Sequence, residues 1–184
     1  MADTKIRFHE YNDELAKNLQ AQLGIANVMA VPRLEKIVIN MGVKDATGDK
    51  KLVDKMAGVI GQISGQKPKI ARAKKSIATF KLRQGDPIGV TVTLRGKRMS
   101  AFMERLINVV LPRIKDFRGI SKESFDGRGN YALGFREYAV FPEIDPNTVD
   151  RMQGMEIIFV TSGRTNAEGA ALLEAMGMPF AKAK

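Results

Sequence analysis

The stretch IGVTVTLR, Ile88 to Arg95, decides how this chain folds. Val90, Val92 and Leu94 point one way while Thr91, Thr93 and Arg95 point the other, the period of two that marks a strand with one apolar and one polar face. Such a strand belongs to a sheet covered on one side. Upstream, LEKIVINM from Leu34 repeats the pattern, with Ile37, Ile39 and Met41 opposed to Lys36, Val38 and Asn40. Downstream, Tyr131, Leu133 and Phe135 alternate, and Met155 to Thr161 reads as a further strand.

Between these segments the period becomes helical. Glu10 to Leu23 carries Leu15, Leu19 and Leu23 at four-residue spacing, with Gly24 as a stop. Asp49 can cap a second helix in which Leu52, Met56, Val59, Ile60 and Ile63 share a face and which Gly65 ends. Met99, Phe102, Met103, Leu106, Ile107 and Val110 form the stripe of a third helix, stopped or kinked by Pro112. Asn166 to Met176 reads as a closing helix before Gly177. Strands and helices mix without a βαβ rhythm. The expected fold class is therefore α+β, an antiparallel or mixed sheet with helices packed on one face and a polar surface on the other.

The chain has 184 residues, enough for one domain or at most two small ones. The expectation is a single domain over 1–184, with 1–24 as an N-terminal helix and 113–131 as a protruding loop. An apolar fraction of 44% can fill a core. The absence of cysteine excludes disulfides, thiolate-bound metal centres and cysteine nucleophiles, and it removes the usual mark of secreted proteins. The opening MADTKIRFHEYNDEL is charged where a signal peptide is apolar, and no stretch approaches the roughly 20 apolar residues that span a bilayer. A cytoplasmic protein without membrane association is expected.

The net charge is +10, and its distribution is more informative than its size. From Lys55 to Met103 there are eleven basic residues and one acid, Asp86, so this segment alone carries the whole excess. Concentration of that kind is an electrostatic footprint for a polyanion. The densest part, KPKIARAKKSIATFKLR at Lys67 to Arg83, contains Pro68 and lacks the helical period of a membrane-surface helix, which favours nucleic acid over lipid. Asn40, Thr91, Thr93 and Arg95 on the polar sheet face offer amide, hydroxyl and guanidinium groups for phosphates, ribose hydroxyls and base edges. No helix-turn-helix or zinc-finger pattern accompanies them, so a folded RNA is expected rather than duplex DNA.

Enzymatic constellations are missing. His9 is the only histidine, which leaves no Ser–His–Asp arrangement and no zinc site. Glu143, Asp145 and Asp150 could attract a cation, but Pro142 and Pro146 suit a solvated turn better. Gly96 and Lys97 imitate a phosphate loop until Arg98, where a hydroxyl is required, and Gly127 and Gly129 follow no buried strand. RGNYALGF at Arg128 to Phe135 resembles an aromatic RNA-recognition strand, but Asn130 takes an aromatic position, so Tyr131 and Phe135 are expected in the core. No cofactor or metal is expected. Residues 113–131, rich in Gly, Ser and charge, read as a long exposed loop of the kind that carries function.

Four strings carry a family likeness: PRLEKIVINMG at Pro32 to Gly42, GQKPKIARAKKSIATFKLRQGDPIGVTVTLRG at Gly65 to Gly96, LPRIKDFRGI at Leu111 to Ile120 and SFDGRGNYALGF at Ser124 to Phe135. With FPEI at Phe141 to Ile144, they closely resemble the bacterial form of large-subunit ribosomal protein five, a family that binds 5S ribosomal RNA. The resemblance implies a non-enzymatic scaffold in the central protuberance, in contact with 5S rRNA and large-subunit rRNA. It implies 5S contact at Asn40, Gln66 and Thr93, with Lys67, Lys69, Arg72 and Arg95 as neighbouring phosphate contacts. The loop from Ala73 to Thr79, with Lys74, Lys75, Ser76 and Ile77, would reach the peptidyl-site tRNA. Residues Arg113, Lys115, Asp116, Arg118, Lys122 and Arg128 would form a bridge to a small-subunit head protein. Lys97 departs from the acidic residue common in that family. A free-standing RNA chaperone and a small phosphate-handling enzyme are the rival readings, separable by competition titration and by turnover.

Overall fold

Alternation becomes burial in the strands expected around Ile37 to Met41 and Val90 to Leu94, whereas Leu133, expected to share a face with Tyr131 and Phe135, is only half-buried. Ile37, Ile39 and Met41 are buried, as are Val90, Val92 and Leu94, and so are Met155, Ile157, Phe159 and Thr161. The computed structural model describes residues 12–43, 50–115, 117–145 and 153–181. In chain order its main elements are α1 (Asn12–Leu23), β1 (Leu34–Gly42), α2 (Lys50–Ser64), β2 (Lys69–Arg72), β3 (Pro87–Leu94), α3 (Gly96–Arg105), β4 (Tyr131–Phe135), β5 (Met155–Thr161) and α4 (Asn166–Ala175). The proposed cap Asp49, the start of the first helix at Glu10, His9 and Asp150 lie outside the described residues.

The five strands form one sheet in the order β2-β3-β1-β5-β4, and the fold is α+β. Its hydrogen bonds run antiparallel. Lys69 pairs with Thr91 and Ile70 with Val90, so numbers rise on β2 as they fall on β3. Between β1 and β5, Ser162 N donates to Arg33 O at one end and Gln153 Nε2 donates to Gly42 O at the other. The four-residue edge strand β2 escapes the sequence reading. Its Lys69 and Arg72 and the Ala71/Arg72 irregularity mask the alternation, and charge of that kind protects an exposed edge from pairing with another chain.

The described chain forms two compact units. One contains Val38–Leu94 and Gly134–Ile158, and α2 packs on β3 within it. Val53, Met56, Ile60 and Ile63 are the buried apolar residues described in α2, whereas the expected Leu52 and Val59 are only half-buried. Each fully buried side chain of this kind contributes roughly 1.5–3 kcal/mol. The helix ends where Ser64 Oγ donates to Ile60 O at 2.6 Å and Gly65 turns left-handed at φ +64°, a conformation glycine adopts without a Cβ penalty.

The other unit contains the residues up to Ile37, Arg95–Leu133 and those from Phe159 on. Its core includes Leu19, Phe102, Met103, Leu106, Val110, Leu111, Tyr131, Leu172 and Leu173. Helix α3 does not stop cleanly. It widens into a π segment over Leu106–Val110 before a last turn, Leu111–Arg113. Pro112 lacks the N–H that would continue the α ladder, and a π segment is one way the chain absorbs that loss. At α4, Thr165 Oγ1 accepts from Glu168 N at 3.3 Å, while Glu168 Oε2 accepts from Arg164 N at 2.8 Å. These bonds satisfy donors at and just before the helix start.

Candidate nucleic-acid interface

Burying one face of β1 and β3 turns the polar residues of both strands outward. Asn40 and Thr93 are exposed and Thr91 is half-buried. Thr91 Oγ1 donates to Ile39 O at 3.2 Å, which ties this face of β3 to β1. Exposed Lys69 stands directly across from Thr91 in the β2–β3 register and therefore shares its face. Gln66 Nε2 donates to Thr93 O at 3.2 Å. Ser64 Oγ accepts from Gln66 N at 3.3 Å, so the helix stop also positions Gln66. Asn40, Gln66, Lys69, Thr91 and Thr93 are thus gathered in one unit by three neighbouring strands and a helix end.

The remaining expected rRNA contacts are placed differently. Lys67 is exposed just before β2. Arg72 ends that strand, and its Nη1 donates to Gly85 O at 3.0 Å, so part of its guanidinium closes the following turn. Arg95 was expected within the strand, but β3 ends at Leu94 and Arg95 is the extended residue before α3. Its Nη1 donates to Glu35 O at 3.4 Å in its own unit.

Residues 73–86 form a closed finger. Ala73 N donates to Asp86 O at 2.8 Å and Gly85 N to Ala73 O at 2.9 Å at its base. Further out, Ile77 and Leu82 exchange backbone bonds of 2.9 and 3.1 Å. Ser76 Oγ accepts from Gln84 N at 2.9 Å, which gives this expected tRNA contact an internal task. Asp86, the only acid of the basic segment, accepts from Arg83 N at 3.0 Å. Lys74, Lys75 and Ile77 are exposed, and so is Phe80, which the reading of the sequence passed over. An aromatic residue in the middle of a basic run was the signal available for it.

The segment from Arg113 to Tyr131 has little regular structure but many fastenings. Ile120 is buried, its N donates to Pro179 O at 2.9 Å, and its O accepts from Ala181 N at 2.9 Å. Tyr131 is 1% exposed, and its hydroxyl donates to Ser121 O at 2.7 Å. Burial pushes the Tyr131 phenol above its ordinary pKa. Phe125, Tyr131 and Phe180 form an aromatic cluster, with Phe125 and Tyr131 centroids 4.8 Å apart. Asp126 accepts from Arg128 N at 2.8 Å, Asn130 N at 3.1 Å and Asn130 Nδ2 at 2.7 Å. These bonds, led by the Asn130 side chain, hold its carboxyl below the usual range. Arg113, Lys115, Arg118 and Arg128 are exposed, and Asp116 lies outside the described residues. Lys122 is engaged internally, 2.6 Å from Glu174 Oε1 and 5.5 Å from the Phe180 ring centre.

Tyr131 and Phe135 are both buried, as core residues should be. Among the described residues no cluster of acids and histidine could hold a metal ion, and no helix is long and apolar enough to cross a membrane. A hollow of about 430 Å³ in the unit holding α1 is lined mainly by aliphatic groups such as Val28, Met29, Leu34 and Met99, with Arg33 and Ser100 as its polar side chains.

A polar sheet face framed by exposed cations on an α+β scaffold defines a class, the basic RNA-binding proteins. Residues 27–83 match ribosomal protein L5, and residues 87–180 match the C-terminus of the same ribosomal family. The second match alone covers more than half of the 184 residues, and the chain belongs to the ribosomal protein L5 family. It is accordingly a structural protein of the large ribosomal subunit, associated with rRNA, from a family of structural proteins rather than enzymes.

Proposed function

We propose that this protein acts in the cytoplasm as the 5S rRNA-binding scaffold of the central protuberance, gripping the RNA with the outward face of β1 and β3. The observation that carries this reading is the convergence of Asn40, Gln66, Lys69, Thr91 and Thr93 on three neighbouring strands and a helix end, all but Asn40 within the segment that holds the chain's entire charge excess. Lys67, Lys69 and Arg72 supply salt-sensitive phosphate contacts, and the neutral groups supply selectivity through short hydrogen bonds from a rigid sheet. The finger, with Lys74 and Lys75 foremost, touches the peptidyl-site tRNA. Arg113, Lys115, Arg118 and Arg128 bridge to a small-subunit head protein, while Lys122 holds their loop in shape through Glu174.

The test is a titration against 5S rRNA at several salt concentrations, with tRNA and an unrelated structured RNA as competitors. Asn40→Ala and Thr93→Ala should each weaken binding roughly fivefold, the effect of about 1 kcal/mol from one hydrogen bond, without changing the salt slope. Lys69→Ala should lower that slope by roughly 0.7–0.9. Unchanged affinity in both neutral variants removes the sheet face as the site. Binding that competitors erase at low salt removes the 5S assignment.

A further inference from the structure

The finger presents an apolar group that cationic contacts leave unexplained. Phe80 is 69% exposed, whereas every other described Phe and Tyr is buried or half-buried. Ile77, in the same finger, is 42% exposed. Exposed Lys74, Lys75, Lys81 and Arg83 accompany them.

The position of Phe80 is fixed by backbone geometry. Ala78–Phe80 form one 3-10 turn, closed by Lys81 N donating to Ala78 O at 2.9 Å. Lys81 then adopts φ +52°, the one positive φ among the described non-glycine residues. A lysine takes that left-handed conformation at a steric cost. The Ile77–Leu82 bonds and the Ser76–Gln84 bond brace the reversal from both sides. The ring is held out on a preformed turn among four cations.

We propose that Phe80 is a stacking platform for an unpaired base of transfer RNA, with Ile77 as the second apolar contact and Lys74, Lys75 and Lys81 on adjacent phosphates. The inference rests on the reading of the finger as a tRNA contact. A nucleobase satisfies both halves of the tip, because its π face covers the ring while its own backbone carries the charge the lysines need. An apolar peptide would cover the ring and leave four cations without counter-charge. A membrane surface would call for an amphipathic helix where there is one short turn.

The experiment uses large ribosomal subunits reconstituted with the full-length protein or its variants. The probe is a transfer RNA carrying a fluorescent purine analogue at each unpaired elbow position in turn, and parallel measurements use labelled 5S rRNA. Phe80→Ala and Phe80→Leu should weaken tRNA binding roughly tenfold and abolish stacking-induced quenching at one position, while Phe80→Trp retains both. Circular dichroism and thermal melts of the free variants should match the parent because the ring is exposed. If Lys74→Ala with Lys75→Ala weakens binding while the Phe80 variants do not, the platform is refuted and the finger contact stands. If none of them weakens it, the finger contact itself fails, and the platform with it. Phe80→Leu binding as well as the parent, or quenching confined to 5S rRNA, also overturns the proposal.

Discussion

The two irregular stretches of this protein, residues 73–86 and 113–131, look alike in sequence, both rich in charge and punctuated by glycine. They spend their aromatic residues in opposite ways. The first closes with backbone and hydroxyl bonds and leaves Phe80 in solvent. The second turns Tyr131 inward against Phe125 and Phe180 and ties its backbone to Pro179 and Ala181. A loop closed by its own main chain can offer its side chains outward. A loop closed by an aromatic cluster has committed them.

The strongest way to break that contrast is to remove one ring from each. Tyr131→Ala should cost about 4 kcal/mol in urea denaturation, the range for deleting a buried aromatic side chain, whereas Phe80→Ala should stay within about 0.5 kcal/mol. Equal losses would mean that the finger, too, is held by its aromatic residue.

Glycine substitutions sharpen the same point about closure. A Cβ on Gly169 would lie 2.3 Å from Gly129 O, backbone against backbone, so Gly169→Ala should destabilise by about 3 kcal/mol. A Cβ on Gly58 in α2 meets nothing within 4 Å, and Gly58→Ala should stabilise by roughly 0.5–1 kcal/mol through helix propensity. Thermal melts of both variants give the two signs directly.

Smaller effects separate the fastenings themselves. Ser76→Ala should cost about 1 kcal/mol and speed hydrogen exchange at the Gln84 amide, with little change at Ile120. Two titrations complete the set. The Asp126 pKa is lowered, so its contribution is complete above the ordinary value of 3.8 and fades as pH falls through the lower folded value. The Asn130 amide shift should therefore report a midpoint below 3.8. The Tyr131 pKa is raised, so stability should decline as pH climbs past 10.0, where the unfolded phenol ionises first. Phe80 has no titrating group, so Phe80→Ala should leave that alkaline step unchanged.

Much of the candidate interface was legible because it follows from periodicity. Thr91, Thr93 and Asn40 had to face away from Val90, Val92 and Ile39 once those were core residues. Gln66 had no such signal. Its place depends on α2 ending at Ser64 and on a bond to Thr93 across 27 residues of sequence. Strand β2 was hidden because an edge strand carries charge where alternation is sought. Lys122 read as a bridge contact, since nothing local reveals Glu174 as its partner 52 residues away.

By itself the sequence determined the α+β class, the faces of β1 and β3, and the confinement of the charge excess to residues 55–103. Each of these follows from spacing along a short segment, where side-chain direction is set by backbone geometry. Tertiary structure alone decided which residues within that basic segment also carry an internal task. Arg72, Ser76 and Arg95 hold parts of the protein in place, while Lys74, Lys75 and Phe80 face solvent. That division depends on hydrogen bonds between residues distant in sequence, which no local pattern encodes.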